Sequence, residues 1–287
     1  DKTTKRLLIM GIVNVSLVVL FFIATVILLY MILSRIDDDS YSINDRIEEV
    51  CKNNDVKYSE ITELELDPGY GTFRGTQCYL LNELTNLESI TFTGIVDDMA
   101  AQLIFEELVE LKNLRSVEIR DSRLDSIAKL AGIEALTDLS ISTKEYTDNT
   151  IEDLDLLGYN GRFVNLKSLK LNVGLQELPD LTGLTELTSL TINDLEFEKM
   201  DYECANWENL VELNIWYTSI DCIDDRIVEE LYNLETLNIS GTDIIDIRFV
   251  LKLPKLKKFI FYDNREFPVD KEPLREHPNF KSYWLFT

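Results

Sequence analysis

Few residues of this sequence belong to the types that carry out covalent, acid–base or metal chemistry. The chain has one histidine, His277 in "REHPNF", and no cysteine pair with C-x-x-C spacing. A catalytic triad needs a histidine beside a nucleophile, and a structural zinc site needs four Cys or His ligands. We therefore expect no enzymatic activity, no metal site and no cofactor. We interpret His277 as a solvent-exposed residue near the C-terminus.

Charge also restricts the partners that the chain can bind. The 287 residues include 28 Lys and Arg against 52 Asp and Glu, a formal net charge of −24. An acidic surface repels the phosphate backbone of DNA and RNA. We therefore expect a protein partner, of unknown identity, and no nucleic acid.

The pattern L-x-x-L-x-L recurs nine times, at spacings of 21 to 30 residues. A short strand with one apolar face cannot bury that face alone, whereas stacked copies form a continuous core. The pattern therefore predicts an α/β solenoid of about nine repeats with a parallel sheet on its concave face. We call the first apolar residue of each copy its anchor. The anchors are Ile61, Leu87, Leu114, Leu136, Leu166, Leu187, Leu210, Leu234 and Leu256.

Two stretches, "DLTGLTELTSLTI" at residues 180–192 and "LETLNISGTDIIDI" at residues 234–247, resemble the leucine-rich repeat family. They look most like the internalin-like branch of bacterial cell-surface proteins. The resemblance covers residues 61–264 and implies a curved solenoid used for protein recognition. It also implies a helical N-terminal cap, to which "SINDRIEEVCKNNDVKYSEI" is similar. Most repeats lack the asparagine that often ladders along the turns of this family, and Ser122, Thr218 and Thr242 stand in its place.

The N-terminal part contains an uncharged, mainly apolar run from Leu7 to Leu33. As a helix rising about 1.5 Å per residue, it would be about 40 Å long, enough to cross a hydrocarbon core of about 30 Å. Lys2, Lys5 and Arg6 precede the run, and only Arg35 follows before an acidic cluster. The positive-inside rule then predicts a single-pass protein of the cell membrane, with a cytoplasmic N-terminus and an extracellular C-terminal domain.

These patterns predict four parts of the chain. Residues 1–35 form the cytoplasmic tip and the transmembrane signal-anchor helix, and residues 36–60 form a linker and the helical cap. Residues 61–264 form the repeats, and residues 265–287 form a C-terminal cap. In that last segment we interpret the aromatic residues Phe280, Tyr283, Trp284 and Phe286 as covering the last repeat rather than binding a ligand.

The four cysteines form an even set, which allows three pairings. Cys78 and Cys204 each lie 17 residues after an anchor, and we interpret both as small buried hydrophobic residues. A bridge from Cys51 to Cys78, between cap and first repeat, stays open as an alternative. So does a bridge from Cys204 to Cys222.

A partner would bind the side chains that alternate with the inward leucines. Trp216 is the strongest candidate, because a tryptophan at an exposed strand position offers the large anchor that interface hot spots favour. At Ile260 and Tyr262 two interpretations stay open, partner binding or coverage by the C-terminal cap. The predicted partner-binding residues are Glu212, Asn214, Trp216, Asn238, Lys258, Ile260 and Tyr262.

Two functions agree with this sequence. The first is a membrane-anchored extracytoplasmic protein that binds a protein partner through its concave face. The second is a scaffold or sensor subunit of a membrane complex assembled through the transmembrane helix. Small and polar residues within the apolar run, Gly11, Asn14 and Ser16, could pack against another membrane helix in that case.

Overall fold

The computed structural model describes residues 40–68, 72–73, 77–95, 98–143, 151–159, 161–193, 197–262, 274, 277 and 282–286. The predicted transmembrane segment at residues 7–33 lies outside this described part, as does Phe280 of the predicted C-terminal cap. Within the described ranges, no helix is both long enough and apolar enough to cross a membrane.

A ten-stranded parallel sheet runs through the structure, and each strand pairs with the strand of the next repeat in chain order. Two further short strands lie outside this sheet, at Ser40–Tyr41 and Thr72–Phe73. The sheet strands are β1 Glu63–Leu66, β2 Ser89–Thr93, β3 Ser116–Ser122, β4 Asp138–Thr143, β5 Ser168–Asn172, β6 Ser189–Ile192, β7 Glu212–Ile215, β8 Thr236–Asn238, β9 Lys258–Tyr262 and β10 Ser282–Phe286.

The first nine strands confirm the predicted repeat. Each begins two residues after an anchor, and all nine anchors are buried. The first residues of these strands pair with one another from β1 to β9, so the register of the repeat is kept along the sheet. One shift interrupts the pairing, between Ile119 and Ser122 of β3 against β4. The buried faces join into one hydrophobic core that extends from Ile43 to Leu274.

The tenth strand lies in the segment that the sequence assigned to a cap. Ser282 of β10 pairs with Lys258, and the parallel pairing continues to Phe286 opposite Tyr262. The backbone of β10 therefore lies beside β9 and extends the sheet. The sequence does contain a tenth copy of the repeat pattern that could have predicted β10. It starts at Phe280, which follows Leu256 by 24 residues, and continues with Tyr283 and Leu285.

Helices complete the repeats on the side away from the strands. The predicted N-terminal helix is present as α1, Ile43–Asn54, in which the Ser42 hydroxyl accepts a hydrogen bond from the Asp45 N–H. Ile43 and Ile47 are buried in the core. Helix α3, Asp225–Glu230, begins after Asp224, whose side chain accepts a hydrogen bond from the Arg226 N–H.

The repeat between Leu87 and Leu114 contains a helix that the sequence did not predict, α2 at Asp98–Val109. This repeat is 27 residues long, so it has room for 12 helical residues. Elsewhere the chain uses short 3-10 helices, at Tyr58–Glu60, Tyr79–Glu83, Ala128–Gly132, Leu154–Leu157, Tyr202–Cys204, Trp207–Asn209 and Arg248–Lys252.

Asparagine side chains connect consecutive repeats at the position before the anchor, a contact that was not predicted from the sequence. In five repeats the residue before the anchor is an asparagine, and its amide donates to a backbone carbonyl in the preceding repeat. The distances are 2.7 to 3.0 Å. Each accepting carbonyl lies two residues before the preceding anchor. The donors are Asn86, Asn113, Asn165, Asn209 and Asn233.

The three residues predicted to replace the turn asparagine are buried. Ser122 is the last residue of β3, whereas Thr218 and Thr242 follow β7 and β8. The Ser122 hydroxyl accepts from the Ile95 N–H at 3.1 Å and donates to the Arg120 carbonyl at 2.8 Å. Thr242 donates to the Ile239 carbonyl at 2.9 Å. The Thr218 hydroxyl has no partner among the described residues.

Candidate recognition surface

The seven predicted partner-binding residues lie in three adjacent repeats. Together with Thr236 and Ser240, they form a grid of nine positions that we call the recognition face. Strands lie about 4.8 Å apart and alternate residues about 6.6 Å apart, so the grid measures roughly 10 by 13 Å. Its rows are Glu212, Thr236 and Lys258; Asn214, Asn238 and Ile260; and Trp216, Ser240 and Tyr262.

Burial separates the recognition face from the core. Leu213, Ile215, Leu237, Phe259 and Phe261 alternate with the grid positions and are fully buried. Eight of the nine grid residues are half-buried or exposed, and Ser240 is 9% exposed. The structure therefore places all seven predicted residues together on the side of the sheet opposite the core. Whether they bind a partner stays a prediction.

An aromatic pair forms one corner of the recognition face. Trp216 is half-buried, and its ring lies 5.3 Å from that of Tyr217, centroid to centroid, at an interplanar angle of 52°. Tyr217 has a φ of 54°, a left-handed backbone conformation that is uncommon outside glycine. Its N–H donates to the Ser240 carbonyl at 2.8 Å. Tyr217 is 47% exposed, so the recognition face gains an aromatic side chain that the prediction did not include.

Gly241 gives Tyr217 the room to adopt this position. A Cβ atom on Gly241 would lie 2.8 Å from Cδ1 of Tyr217, closer than real contacts allow, and the φ of Gly241 is +70°. On the other side, the Gly241 N–H donates to the Tyr262 carbonyl at 3.0 Å, and the Tyr262 N–H donates to the Ser240 hydroxyl at 3.1 Å. Small residues of one repeat therefore separate aromatic residues of its two neighbours.

The amide side chains of the recognition face are held by local hydrogen bonds. Nδ2 of Asn214 donates to Oε1 of Glu212 at 2.9 Å and to the Thr191 hydroxyl at 3.3 Å. Oδ1 of Asn238 accepts from the Ser240 N–H at 3.0 Å. These contacts orient polar groups before a partner arrives, which lowers the entropy cost of binding.

Charge is distributed unevenly along the sheet. The recognition face carries one acidic residue, Glu212, and one basic residue, Lys258, although the whole chain has a net charge of −24. Nearer the N-terminus, Arg120 donates to Glu65 at 3.0 Å and to Glu118 at 2.8 Å. The hydrogen bond from Arg120 lowers the pKa of Glu118 and raises that of the guanidinium. Charged groups there pair with one another, whereas seven of the nine residues of the recognition face are uncharged.

No family model and no curated protein sequence matches the chain. Solved structures do match. A leucine-rich repeat protein of Leptospira interrogans aligns with 86% of this chain and 58% of its own at 18% identity, with a TM-score of 0.56. TLR13, from its complex with ssRNA13, aligns with 80% of this chain and 37% of its own at 16% identity, with a TM-score of 0.54.

The chain has a leucine-rich repeat fold. It spans little more than half of the Leptospira protein and about a third of TLR13. Internalin C2 of Listeria monocytogenes also matches, at 20% identity over 80% of this chain and 82% of its own, with a TM-score of 0.42. These likenesses concern the fold, and the internalin-like part of the sequence resemblance stays a prediction.

The prediction for His277 was wrong, because this residue is buried at the C-terminal side of the last repeats. The side chain is 6% exposed, and Nε2 lies 2.9 Å from the Leu253 carbonyl. Leu253 is the C-cap residue of the 3-10 helix Arg248–Lys252. The last carbonyls of a helix need partners from outside it, and the imidazole supplies one. Nothing in the local sequence "REHPNF" signals this long-range contact.

All four cysteines of the leucine-rich repeat domain are free thiols, so neither possible bridge is formed. Cys78 is buried, as predicted, and Cys204 is half-buried against the core. Burial raises the pKa of both thiols to about 11. Cys222 is exposed, and a hydrogen bond with Asp221 raises its pKa.

Within the described residues, no group of three or more His, Cys, Asp or Glu converges to hold a metal ion.

Proposed function

We propose that this chain is a membrane-anchored, extracytoplasmic leucine-rich repeat protein that binds a protein partner without catalysis. The observation that carries the proposal is the recognition face. In a chain of net charge −24, it presents accessible aromatic side chains and one charge of each sign. The cores of protein interfaces are enriched in Trp and Tyr and depleted of charge.

Membrane attachment is supported by the sequence alone. The uncharged run at residues 7–33 is long enough to span a bilayer, and Lys2, Lys5 and Arg6 favour a cytoplasmic N-terminus. The repeats would then lie outside the cell and offer the recognition face, on the proposed concave side, to proteins in the surroundings.

A protein partner is favoured over a nucleic acid because of charge and not because of the fold. TLR13 shares the leucine-rich repeat fold in a complex with ssRNA13, so this architecture alone does not define the class of ligand. Here the net charge of −24 repels phosphates, and the recognition face carries Lys258 as its single cation.

Photocrosslinking in the cell tests this function. The full chain is expressed with benzoylphenylalanine in place of Tyr262, which is 36% exposed on the recognition face. The matched control has the same substitution at Tyr232, which is 44% exposed and lies outside the grid. We expect a discrete protein adduct from position 262 and none from position 232.

Adducts at neither position, or at position 232 alone, would contradict recognition through this face. A third crosslinker at Asn14, within the apolar run, tests the alternative function. If only Asn14 gives an adduct, the protein is better described as a subunit of a membrane complex. Protection of the repeats from protease added outside intact cells would contradict the proposed orientation.

A further inference from the structure

Strand β10 continues the rows of the recognition face. The parallel pairing places Ser282 opposite Lys258, Trp284 opposite Ile260 and Phe286 opposite Tyr262. These are the register positions that form the grid in the three preceding repeats. Five consecutive paired residues fix this register, and the 24-residue step from Leu256 to Phe280 agrees with the mean repeat length.

The added strand contains no charged residue, since its sequence is "SYWLF". Over the twelve positions in these four repeats, Glu212 and Lys258 remain the charged residues, and their charges cancel. Two of the three added positions are aromatic. The register therefore adds two aromatic residues and one serine to the rows of the recognition face.

The rest of the molecule supplies a strong negative field around this neutral region. A net charge of −24 attracts cationic proteins over distances up to the Debye length, about 8 Å at physiological salt, and accelerates their association. It also repels a second copy of the same chain. Charge complementarity thus favours a basic protein as the partner, although the contact region itself is uncharged.

We propose that the recognition surface spans four strands, β7 to β10, with Trp284 and Phe286 as further contact residues in place of the capping role first assigned to them. The partner is a protein of net positive charge that presents an uncharged aromatic or aliphatic segment to this surface. This inference rests on the proposed protein-binding function. It adds the tenth repeat to the surface and defines the chemistry of the partner.

Because the partner is unidentified, the test uses a phage-displayed library of random 12-residue peptides as the probe. The full chain in lipid nanodiscs is the target, and empty nanodiscs remove peptides that bind the lipid or the scaffold. We expect the selected peptides to carry net positive charge around an aromatic or aliphatic centre. Their association rate should fall between 50 and 300 mM NaCl while the dissociation rate changes little, as expected for electrostatic steering.

Variants of β10 then locate the surface. We expect Trp284→Ala and Phe286→Ala to weaken peptide binding by about tenfold or more, as for hot-spot residues. Tyr79→Ala, which removes a tyrosine that is 63% exposed outside the recognition face, serves as the control and should bind like the parent. Circular dichroism checks that each variant is folded.

Two substitutions of opposite charge at Ser282 test the same surface if the aromatic variants fail to fold. Ser282→Arg should weaken binding of the cationic peptides, whereas Ser282→Glu should not.

If Trp216→Ala and Tyr262→Ala lose binding while all folded β10 variants keep it, the surface ends at β9. This inference is then wrong and the proposed function stands. If no variant of either set changes binding, both are wrong. Acidic or salt-insensitive peptides, or self-association that depends on Trp284, would overturn the assignment of a basic partner.

Discussion

At the scale of single residues, the recognition face depends on a strained backbone position and on the small residue beside it. The left-handed φ of Tyr217 costs roughly 1–3 kcal/mol for a non-glycine residue. Its hydrogen bond to the Ser240 carbonyl and its packing on Gly241 offset that cost. This arrangement fixes the Tyr217 ring beside Trp216, so both aromatic side chains are placed before a partner binds.

Substitution of Gly241 tests this arrangement. Gly241→Ala adds a Cβ at a φ of +70° and forces it against Tyr217 at 2.8 Å. We expect a loss of about 2–3 kcal/mol in the free energy of unfolding, together with a change in Trp216 fluorescence. The matched control is Gly174→Ala, at a φ of +69° with nothing within 4 Å, which should cost about 1 kcal/mol. Urea titrations measure both, and equal losses would show that Tyr217 does not depend on Gly241.

The four thiols should differ in reactivity. A thiol with a raised pKa has less thiolate at a given pH, and the thiolate is the reactive form. At pH 8 we expect iodoacetamide to modify exposed Cys222 first. Cys78 and Cys204, each with a pKa of about 11, should react much more slowly, Cys78 slowest because it is buried. Peptide mass spectrometry after timed quenching measures the order. In urea the four rates should converge, and rapid native labelling of Cys78 would contradict its burial.

At the scale of elements, the repeats have strands of only three to seven residues. The helices and the asparagines that precede the anchors, which we call the asparagine ladder, join these repeats. Strand pairing holds consecutive repeats together on one side. Asparagine amides bind carbonyls of the preceding repeat before the anchors, which satisfies backbone groups that no regular helix or strand uses. The spacing between repeats is therefore fixed at two places wherever this asparagine is present, which is in five repeats.

Removal of one ladder amide should cost a measurable amount of stability. Asn209 donates to the Thr185 carbonyl at 3.0 Å, and we expect Asn209→Ala to lower the free energy of unfolding by about 1 kcal/mol. Glu186→Ala changes the equivalent position of the preceding repeat, where an exposed glutamate replaces the asparagine. That control should change stability by less than about 0.5 kcal/mol. Equal effects in chemical denaturation would show that the ladder does not stabilise the fold.

At the scale of the whole molecule, the repeat domain combines a neighbour-to-neighbour core with a large excess of negative charge. Each repeat packs mainly on the repeats beside it, so the two ends need special residues. Helix α1 contributes Ile43 and Ile47 to the core at one end, and Leu274 and His277 are buried near the other. Carboxylates without basic partners repel one another across the surface, because acidic residues outnumber basic ones by 24.

The stability of the domain should therefore rise with ionic strength. Between 10 and 150 mM NaCl the Debye length falls from about 30 Å to about 8 Å, which screens the repulsion between carboxylates. We expect Tm to rise by roughly 2–4 °C for each kcal/mol of repulsion relieved. Differential scanning fluorimetry in NaCl and in choline chloride checks this. Similar shifts in the two salts would assign the effect to screening, and a constant or falling Tm would show that the charges do not limit stability.

The sequence by itself determined the repeated strand, its register and the face on which Trp216 and Tyr262 lie. Apolar residues at fixed positions identify the side chains that become buried on folding. This pattern is local, and it is repeated nine times. For the same reason it placed the anchors correctly, whereas α1 was implied by the family resemblance. It also led to the seven candidate binding residues without any knowledge of their neighbours.

Only the tertiary structure decided which residues from different repeats contact one another. The burial of His277 against Leu253, the packing of Tyr217 on Gly241 and the bond from Asn209 to Thr185 each join residues 24 positions apart. Strand β10 became recognisable through its pairing with β9, since Phe280 and Tyr283 replace the usual leucines of the pattern. Such contacts depend on how successive turns of the chain stack, and no single repeat encodes that geometry.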